Sequence, residues 1–253
     1  MSSTLALETT GLSRHFGGMY AVNEVSLRIA AGARHALIGP NGAGKTTFIN
    51  LLTGVLRPSA GSVAVHGRDI THLAPHRRVG LGVARTFQIN QLFGELTPLE
   101  AVGLAMSERM GSGRHWWRVA GSNRSLDARI VGMLERFHLA DVMHERTDTL
   151  AYGKQRLLEI ALAIACSPQL LLLDEPAAGV PEDERHEILA AVAALPREVT
   201  VLFIEHDMDL VFSFADRISV LVNGALFAEG TPAEISHDPR VKTAYLGEEA
   251  AHD

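Results

Sequence analysis

Cysteine is nearly missing. Cys166 is the only one in 253 residues, so no intramolecular disulfide can form. Its apolar setting, IALAIACS, predicts a buried structural thiol. A strong charge of either sign is missing too. Lys+Arg total 23 against 29 Asp+Glu, a net charge of −6, which argues against a broad nucleic-acid surface. Long apolar runs are absent: LEIALAIAC and QLLLLDEP fall short of the ~18 apolar residues a membrane span needs. The opening MSSTLALETTGLSRHF has no basic start ahead of an apolar core, so no signal peptide is read there. No internal repeat is visible. What remains is an ordinary globular composition, 47% hydrophobic and 21% charged, in a length that suits one large domain or two small ones. The expectation is a soluble chain, or one held at a membrane by a partner.

The elements alternate. AVNEVSLRIA, HALI, GSVAVHGRDI and GLGVARTFQ read as strands, and KTTFINLLTGVL as a helix ended by Arg57-Pro58. From about 92 to 165 the period becomes helical, through LTPLEAVGLAMSERM, SLDARIVGMLERFHL and KQRLLEIALAIAC. Then follow LLLLD (strand), PEDERHEILAAVAAL (helix), TVLFI (strand) and DLVFSFA (helix). Asn223-Gly224 between ISVLV and ALFAEG predicts a hairpin. Thr231-Pro232-Ala233-Glu234 predicts a capped helix start. The pattern is an α/β sheet with a helical insertion, one domain over 1–253. Within the insertion, SERMGSGRHWWRVAGSNR reads as a Gly- and Ser-broken loop. Trp116 and Trp117 among Arg109, Arg114, Arg118 and Arg124 also suit a contact with lipid headgroups or a membrane subunit.

The sharpest chemical signal is GPNGAGKTT, residues 39–47, between an apolar strand and an apolar helix. Gly39, Gly42 and Gly44 permit close backbone approach, and Pro40, Asn41 and Ala43 complete the loop. Successive N–H groups and a helix N-terminus then face phosphate oxygens. Lys45 adds a mobile charge, and the Thr46 hydroxyl is a Mg²⁺ ligand, with Thr47 beside it. A metal-bound triphosphate needs a second oxygen ligand. Asp174 supplies it at the C-terminal end of LLLLD, the edge where α/β sheets hold ligands. Glu175 follows and is placed to orient or deprotonate the attacking water. Gln88 and His206 end two further strands, and a strand-end histidine serves equally as a structural hydrogen-bonder.

LAYGKQR, residues 150–156, is less plain. It has the glycine and basic-amide step of an anion-binding helix start, but Ala151 stands where a hydroxyl would help and Tyr152 where a small residue would. GPNGAGKTT, Gln88, LAYGKQR, LLLLDEP and IEHD occur together in the order and spacing of ATP-binding cassettes, which this chain resembles over nearly its whole length. RHFGGMYAVNEVS, ARTFQ, LAYGKQR, DEPAAG, IEHDM and GTPAEI…AYLGE resemble the ATPase subunits of importers for branched-chain and other hydrophobic amino acids.

The resemblance implies a P-loop cassette: a RecA-like core sheet, an N-terminal antiparallel β part and an inserted helical subdomain. It implies ATP and Mg²⁺ bound between two head-to-tail cassettes, identical or similar. Lys45, Thr46 and Asp174 would hold phosphate and metal. Gln88 would sense both metal and water, Glu175 would be the general base, and His206 would contact the γ-phosphate. Phe16 would stack on adenine, and a core phenylalanine is an equal reading of that position. Gly153, at the signature helix start, would close the opposite subunit's site. Transmembrane permease subunits and a periplasmic solute-binding protein would be the partners, at the cytoplasmic face of the inner membrane, with no nucleic acid involved. Pro181 departs from the usual Asn or Asp, with Glu182 or Asp183 as substitutes. A P-loop kinase or small GTPase would not need LAYGKQR or IEHD. Chromosome-maintenance relatives would carry heptads or zinc cysteines, and translation-associated ones usually carry two cassettes. The remaining alternatives are an exporter ATPase such as that of the lipopolysaccharide transporter, and an importer of urea or amides.

Overall fold

The computed structural model describes residues 4–86, 92–109 and 124–249, with side chains at 109, 124, 182, 183 and 245–249 excepted. The chain forms two compact units. The first comprises Met1–Arg85, Gln169–Glu175 and Pro196–Asp253; the second comprises Thr86–Pro168 and Pro176–Leu195.

The first unit holds two sheets. One is built on β1 (Leu5–Phe16), which pairs antiparallel with β2 (Met19–Val25), β3 (Arg28–Ala30) and β5 (Ala60–Val65); β6 (Arg68–Asp69) extends it. The other contains β4 (Arg34–Ile38), β7 (Val83–Arg85), β8 (Leu170–Asp174), β9 (Thr200–Ile204), β10 (Arg217–Val222) and β11 (Ala225–Gly230), in the order β11-β10-β4-β9-β8-β7. All its neighbours run parallel except β11 against β10. β4 and β9 are buried at every residue, as is β8 up to Leu173. Continuous apolar runs of this kind suit strands covered on both faces. At the predicted turn, Asn223 and Gly224 both have positive φ, 50° and 78°, as a two-residue hairpin requires.

α1 (Lys45–Thr53) follows β4 through the glycine loop. It ends at Gly54 (φ 80°), whose N–H bonds the Leu51 carbonyl, not at the predicted Arg57-Pro58. A left-handed glycine cap stops a helix before a downstream proline can. Arg78, in α2 (Pro75–Gly80), is 1% exposed and donates from Nη1 to the carbonyls of Leu51 (2.7 Å) and Leu52 (2.8 Å), which satisfies the end of α1.

In the second unit, α3 (Pro98–Arg109), α4 (Arg124–Arg136), α5 (Tyr152–Ala165) and α6 (Glu182–Ala193) bury Val102, Leu134, Phe137, Leu158, Ala161 and Ile188 fully. Ser107 belongs to α3 and is buried, so the predicted loop does not begin there; Trp116 and Trp117 lie outside the described residues. Cys166 is the C-cap of α5 and only half-buried, because the apolar face of that helix ends one residue before it. Back in the first unit, α7 (Met208–Phe214), α8 (Pro232–His237) and α9 (Pro239–Glu249) complete the chain, and the capping box at Thr231 and Glu234 forms as predicted. Among the described residues no helix is long and apolar enough to cross a membrane.

Candidate active site

Adjacent parallel strands β4, β9, β8 and β7 end at one edge of the sheet, and the loops leaving that edge carry the predicted chemistry. After β4 comes the glycine loop. Gly39 (φ 153°) and Gly44 (φ 98°) leave no room for a side chain: an added Cβ would lie 2.1 Å from the Leu221 carbonyl oxygen at Gly39, and 2.1 Å from that of Ala21 at Gly44. Gly42 also has positive φ (75°), but among the described residues nothing lies within 4 Å of its Cβ position. The loop is therefore held by backbone on its inner side and open on its outer side. The 223–224 hairpin braces it, since Gly224 N–H donates to the Ala43 carbonyl at 3.0 Å. Pro40 closes the first turn by accepting from Ala43 N–H at 3.2 Å.

Lys45 is buried, and its Nζ donates to the Gly39 carbonyl and, at 2.9 Å, to that of Pro40. The ammonium thus lies over the loop it would share with an anion. Asn41, Gly42 and Thr46 are exposed, and Thr47 is half-buried.

Asp174 ends β8 with its side chain 19% exposed. Its Oδ2 accepts from Arg85 Nη2 at 2.6 Å, and Arg85 Nη1 donates to Asn50 Oδ1 on α1 at 2.7 Å. Glu175 is in the left-handed region (φ 49°), which is costly for a side chain and needs surrounding support. Its N–H donates to the Ile204 carbonyl at 3.0 Å, so β9 holds the turn. Its Oε1 pairs with His206 Nε2 at 2.6 Å. With the carboxylate ionised, Nε2–H is the donor. His206 lies two residues beyond the end of β9, in the turn that Asp207 caps at the start of α7.

Phe16, the last residue of β1, is 46% exposed, with the Arg14 guanidinium 4.7 Å from its ring centroid. That removes the core reading, because the strand end carries the ring out of the sheet into solvent. β7 ends at Arg85, short of the predicted Gln88, which lies outside the described residues.

In the second unit, α5 starts at Tyr152 with Ala151 as its N-cap and no side-chain cap. Gly153 is buried. The Glu184 carboxylate from α6 covers it, so that an added Cβ would meet Oε2 at 2.0 Å. Tyr152 Oη donates to the Ala178 carbonyl at 3.1 Å, and its ring lies 5.5 Å from the Arg156 guanidinium.

The family described as ABC transporter matches residues 22–178, more than half of the chain. The chain belongs to the ATP-binding-cassette (ABC) transporter family. The cassette's residues 225–251 match a second family, described as branched-chain amino acid ATP-binding cassette transporter. It is similar to the high-affinity branched-chain amino acid transport ATP-binding protein BraF of Pseudomonas aeruginosa, at 42% identity over 96% of this chain and 98% of that protein. It is also similar to LivG of Escherichia coli (strain K12), of the same description, at 39% identity over 96% and 98%. A solved ATP-binding cassette of an ABC transporter in its ADP conformation shares 31% identity, with a TM-score of 0.82 over 96% of this chain and 99% of that one. As a member of this family the cassette is an ATP-hydrolysing transport subunit. Arg85 and Glu184 were missed by sequence reading. Each acts on a partner many residues away, and neither stands inside a phosphate-binding motif.

Proposed function

We propose that the cassette binds ATP with Mg²⁺ and powers uptake of branched-chain or related small hydrophobic amino acids. The observation that carries this is the single sheet edge where the open glycine loop, Asp174 and the Glu175–His206 pair all stand. The loop's N–H groups and Lys45 bind the triphosphate. For Lys45 this means exchanging the Gly39 and Pro40 carbonyls for phosphate oxygens. Phe16 offers adenine the ring face that Arg14 does not cover.

The donor set fits Mg²⁺. Among the described residues no cluster of three acidic, histidine or cysteine ligands exists. Mg²⁺ is usually held by one or two carboxylates plus phosphate oxygens and water. Thr46 and Asp174 would hold it, with Gln88 added by resemblance. When bound, it neutralises charge on the phosphates. Glu175 accepts a proton from the attacking water, and His206, which pairs with that carboxylate here, is the residue the resemblance sets on the γ-phosphate. Gly153 and the start of α5 close the site of a second cassette, identical or similar. The complex stands at the cytoplasmic face of the inner membrane, beneath transmembrane permease subunits served by a periplasmic solute-binding protein. Similarity to relatives described as high-affinity branched-chain amino acid transport ATP-binding proteins supports the amino-acid reading, and ARTFQ and LAYGKQR favour an importer over an exporter with a similar C-terminal end.

Glu175→Gln tests the chemistry. It is expected to bind ATP, to stop phosphate release and to accumulate an ATP-dependent dimer in size-exclusion chromatography. Wild-type turnover in that variant removes Glu175 from the base role. For the cargo, deletion of the gene should lower uptake of labelled leucine and spare urea; the reverse result refutes the amino-acid reading.

A further inference from the structure

Arg85 ends β7 and is the last residue of the first unit before the chain leaves it. Its guanidinium is forked, with Nη2 on Asp174 Oδ2 at 2.6 Å and Nη1 on Asn50 Oδ1 at 2.7 Å. A guanidinium only donates, so Asn50 must turn its amide oxygen toward it. Arg85 is in register with Leu172, two residues short of Asp174. The side chain therefore runs about 6–7 Å along the strand direction to reach the carboxylate. A lysine supplies the charge but not the planar fork that holds two acceptors at once. The pair is mostly removed from water, with side chains 22% and 19% exposed, so it is not one of the freely solvated surface pairs that contribute little.

We propose that Arg85 is a positioning residue for the metal-bearing carboxylate. By holding Oδ2 it fixes the Asp174 side chain and leaves Oδ1 for the shell of a Mg²⁺ ion. By holding Asn50 it ties that carboxylate to α1, whose start carries Lys45 and Thr46. One guanidinium thus links the phosphate-binding helix to the acidic strand end. The inference rests on Asp174 being the metal carboxylate, as proposed above.

The test measures ATP affinity by calorimetry in EDTA, and Mn²⁺ affinity of the ATP-loaded protein by electron paramagnetic resonance. Removing an outer-shell partner of a metal ligand lowers metal affinity by about 10–100-fold. Arg85→Met is expected to bind ATP in EDTA like wild type and to lose Mn²⁺ affinity by about tenfold. Arg85→Lys should lose nearly as much, and Asn50→Leu less but in the same direction. A merely structural role would lower ATP affinity in EDTA as well. Wild-type Mn²⁺ affinity in both Arg85 variants overturns the inference. Asp174→Asn separates the two layers of argument. If it leaves Mn²⁺ affinity unchanged, the metal reading itself fails. If it abolishes Mn²⁺ binding while the Arg85 variants behave like wild type, only the role of Arg85 fails. Should Arg85→Met not fold, Arg85→Lys and Asn50→Leu carry the test.

Discussion

Two helices in this molecule begin with a glycine and a lysine, and they begin very differently. At the start of α1, backbone crowds the inner side of the loop, while the Cβ position of Gly42 meets nothing within 4 Å among the described residues. Lys45 is turned onto loop carbonyls, and no acid stands in the first turn. At the start of α5 the first turn also lacks an acid, but a carboxylate from α6 covers Gly153. Lys154 is engaged elsewhere, donating to the His138 carbonyl and, at 3.3 Å, to Asp141. Both helix ends carry the same partial positive charge. What differs is whether the space before the helix is open or already holds an anionic group. The start of α1 is open to an anion as it stands, whereas Glu184 must move aside before a phosphate reaches the start of α5.

The largest expected effect falls on the open start. Lys45→Ala removes the charge that would meet the phosphates and the two bonds that shape the loop. Each charged hydrogen bond to a phosphate oxygen contributes about 1.5–3 kcal/mol and the ammonium can make two, so nucleotide affinity should fall by about a hundredfold or more. Calorimetry with ATP measures it, alongside a thermal melt that should remain one cooperative transition. Tight ATP binding by a folded Lys45→Ala protein would break the comparison at its stronger end.

The second test strikes the covered start. Gly153→Asp must push the Glu184 carboxylate aside and then sets two carboxylates where a triphosphate is proposed to dock. ATP-dependent dimerisation in the Glu175→Gln background should fall by about 10–100-fold. Glu184→Gln should act oppositely, since neutralising a charge at a helix N-terminus is worth about 0.3–1 kcal/mol, or about two- to fivefold in closure. If both variants dimerise like their parent, α5 opens as an ordinary helix and its glycine is there to make room for Glu184.

These two starts were not equally legible in the sequence. GPNGAGKTT is local: strand, loop and helix are consecutive, and its glycines announce the backbone they need. The Asn223-Gly224 turn and the Thr231 capping box are local as well, and both form. LAYGKQR is less legible, because the carboxylate that covers Gly153 comes from Glu184, about 30 residues on. Arg85 escaped for the same reason, as its partners Asn50 and Asp174 are joined to it only by the sheet. β1 was not read as a strand from its own pattern; only the resemblance implied an N-terminal antiparallel β part. Its sequence, LALETTGLSRHF, mixes apolar and polar residues without clean alternation, and its strand character comes from pairing with three neighbours.

A smaller effect is expected at Ala151. The residue is the N-cap of α5, in an extended conformation (φ −55°, ψ 149°) that a capping serine can adopt. Ala151→Ser should add about 1 kcal/mol to stability and raise the melting temperature by about 2–4 °C. The same hydroxyl would also occupy a first-turn N–H proposed for phosphate. Closure should therefore strengthen by less than the roughly tenfold expected of a charged hydrogen bond added alone. A higher melting temperature with unchanged dimerisation would mark Ala151 as a capping position and nothing more.

The smallest expected effect belongs to Tyr152, and it bears on why LAYGKQR departs from a small-residue pattern. Its hydroxyl donates to the Ala178 carbonyl in the DEPAAG segment at 3.1 Å. Gly179, at φ 74°, lies so close that a Cβ there would meet the tyrosine hydroxyl at 3.1 Å and ring carbons at 3.4 and 3.5 Å. Arg156 lies beside the ring, and its Nη1 pairs with the buried Glu159 at 2.9 Å. Tyr152 is therefore packed against Ala178 and Gly179, in the segment that leads to Pro181. Tyr152→Phe keeps the ring and deletes one exposed hydrogen bond, worth about 0.5 kcal/mol, the low end for such bonds. The melting temperature should drop by only a degree or two, and amide exchange should quicken at residues 178–180 without changing at the glycine loop. ATP affinity should stay at the wild-type value, because the tyrosine is proposed to brace α5 and not to bind nucleotide. If exchange at 178–180 is unaltered while ATP affinity falls, Tyr152 serves the ligand directly, and the start of α5 is more like the start of α1 than its covered glycine suggests.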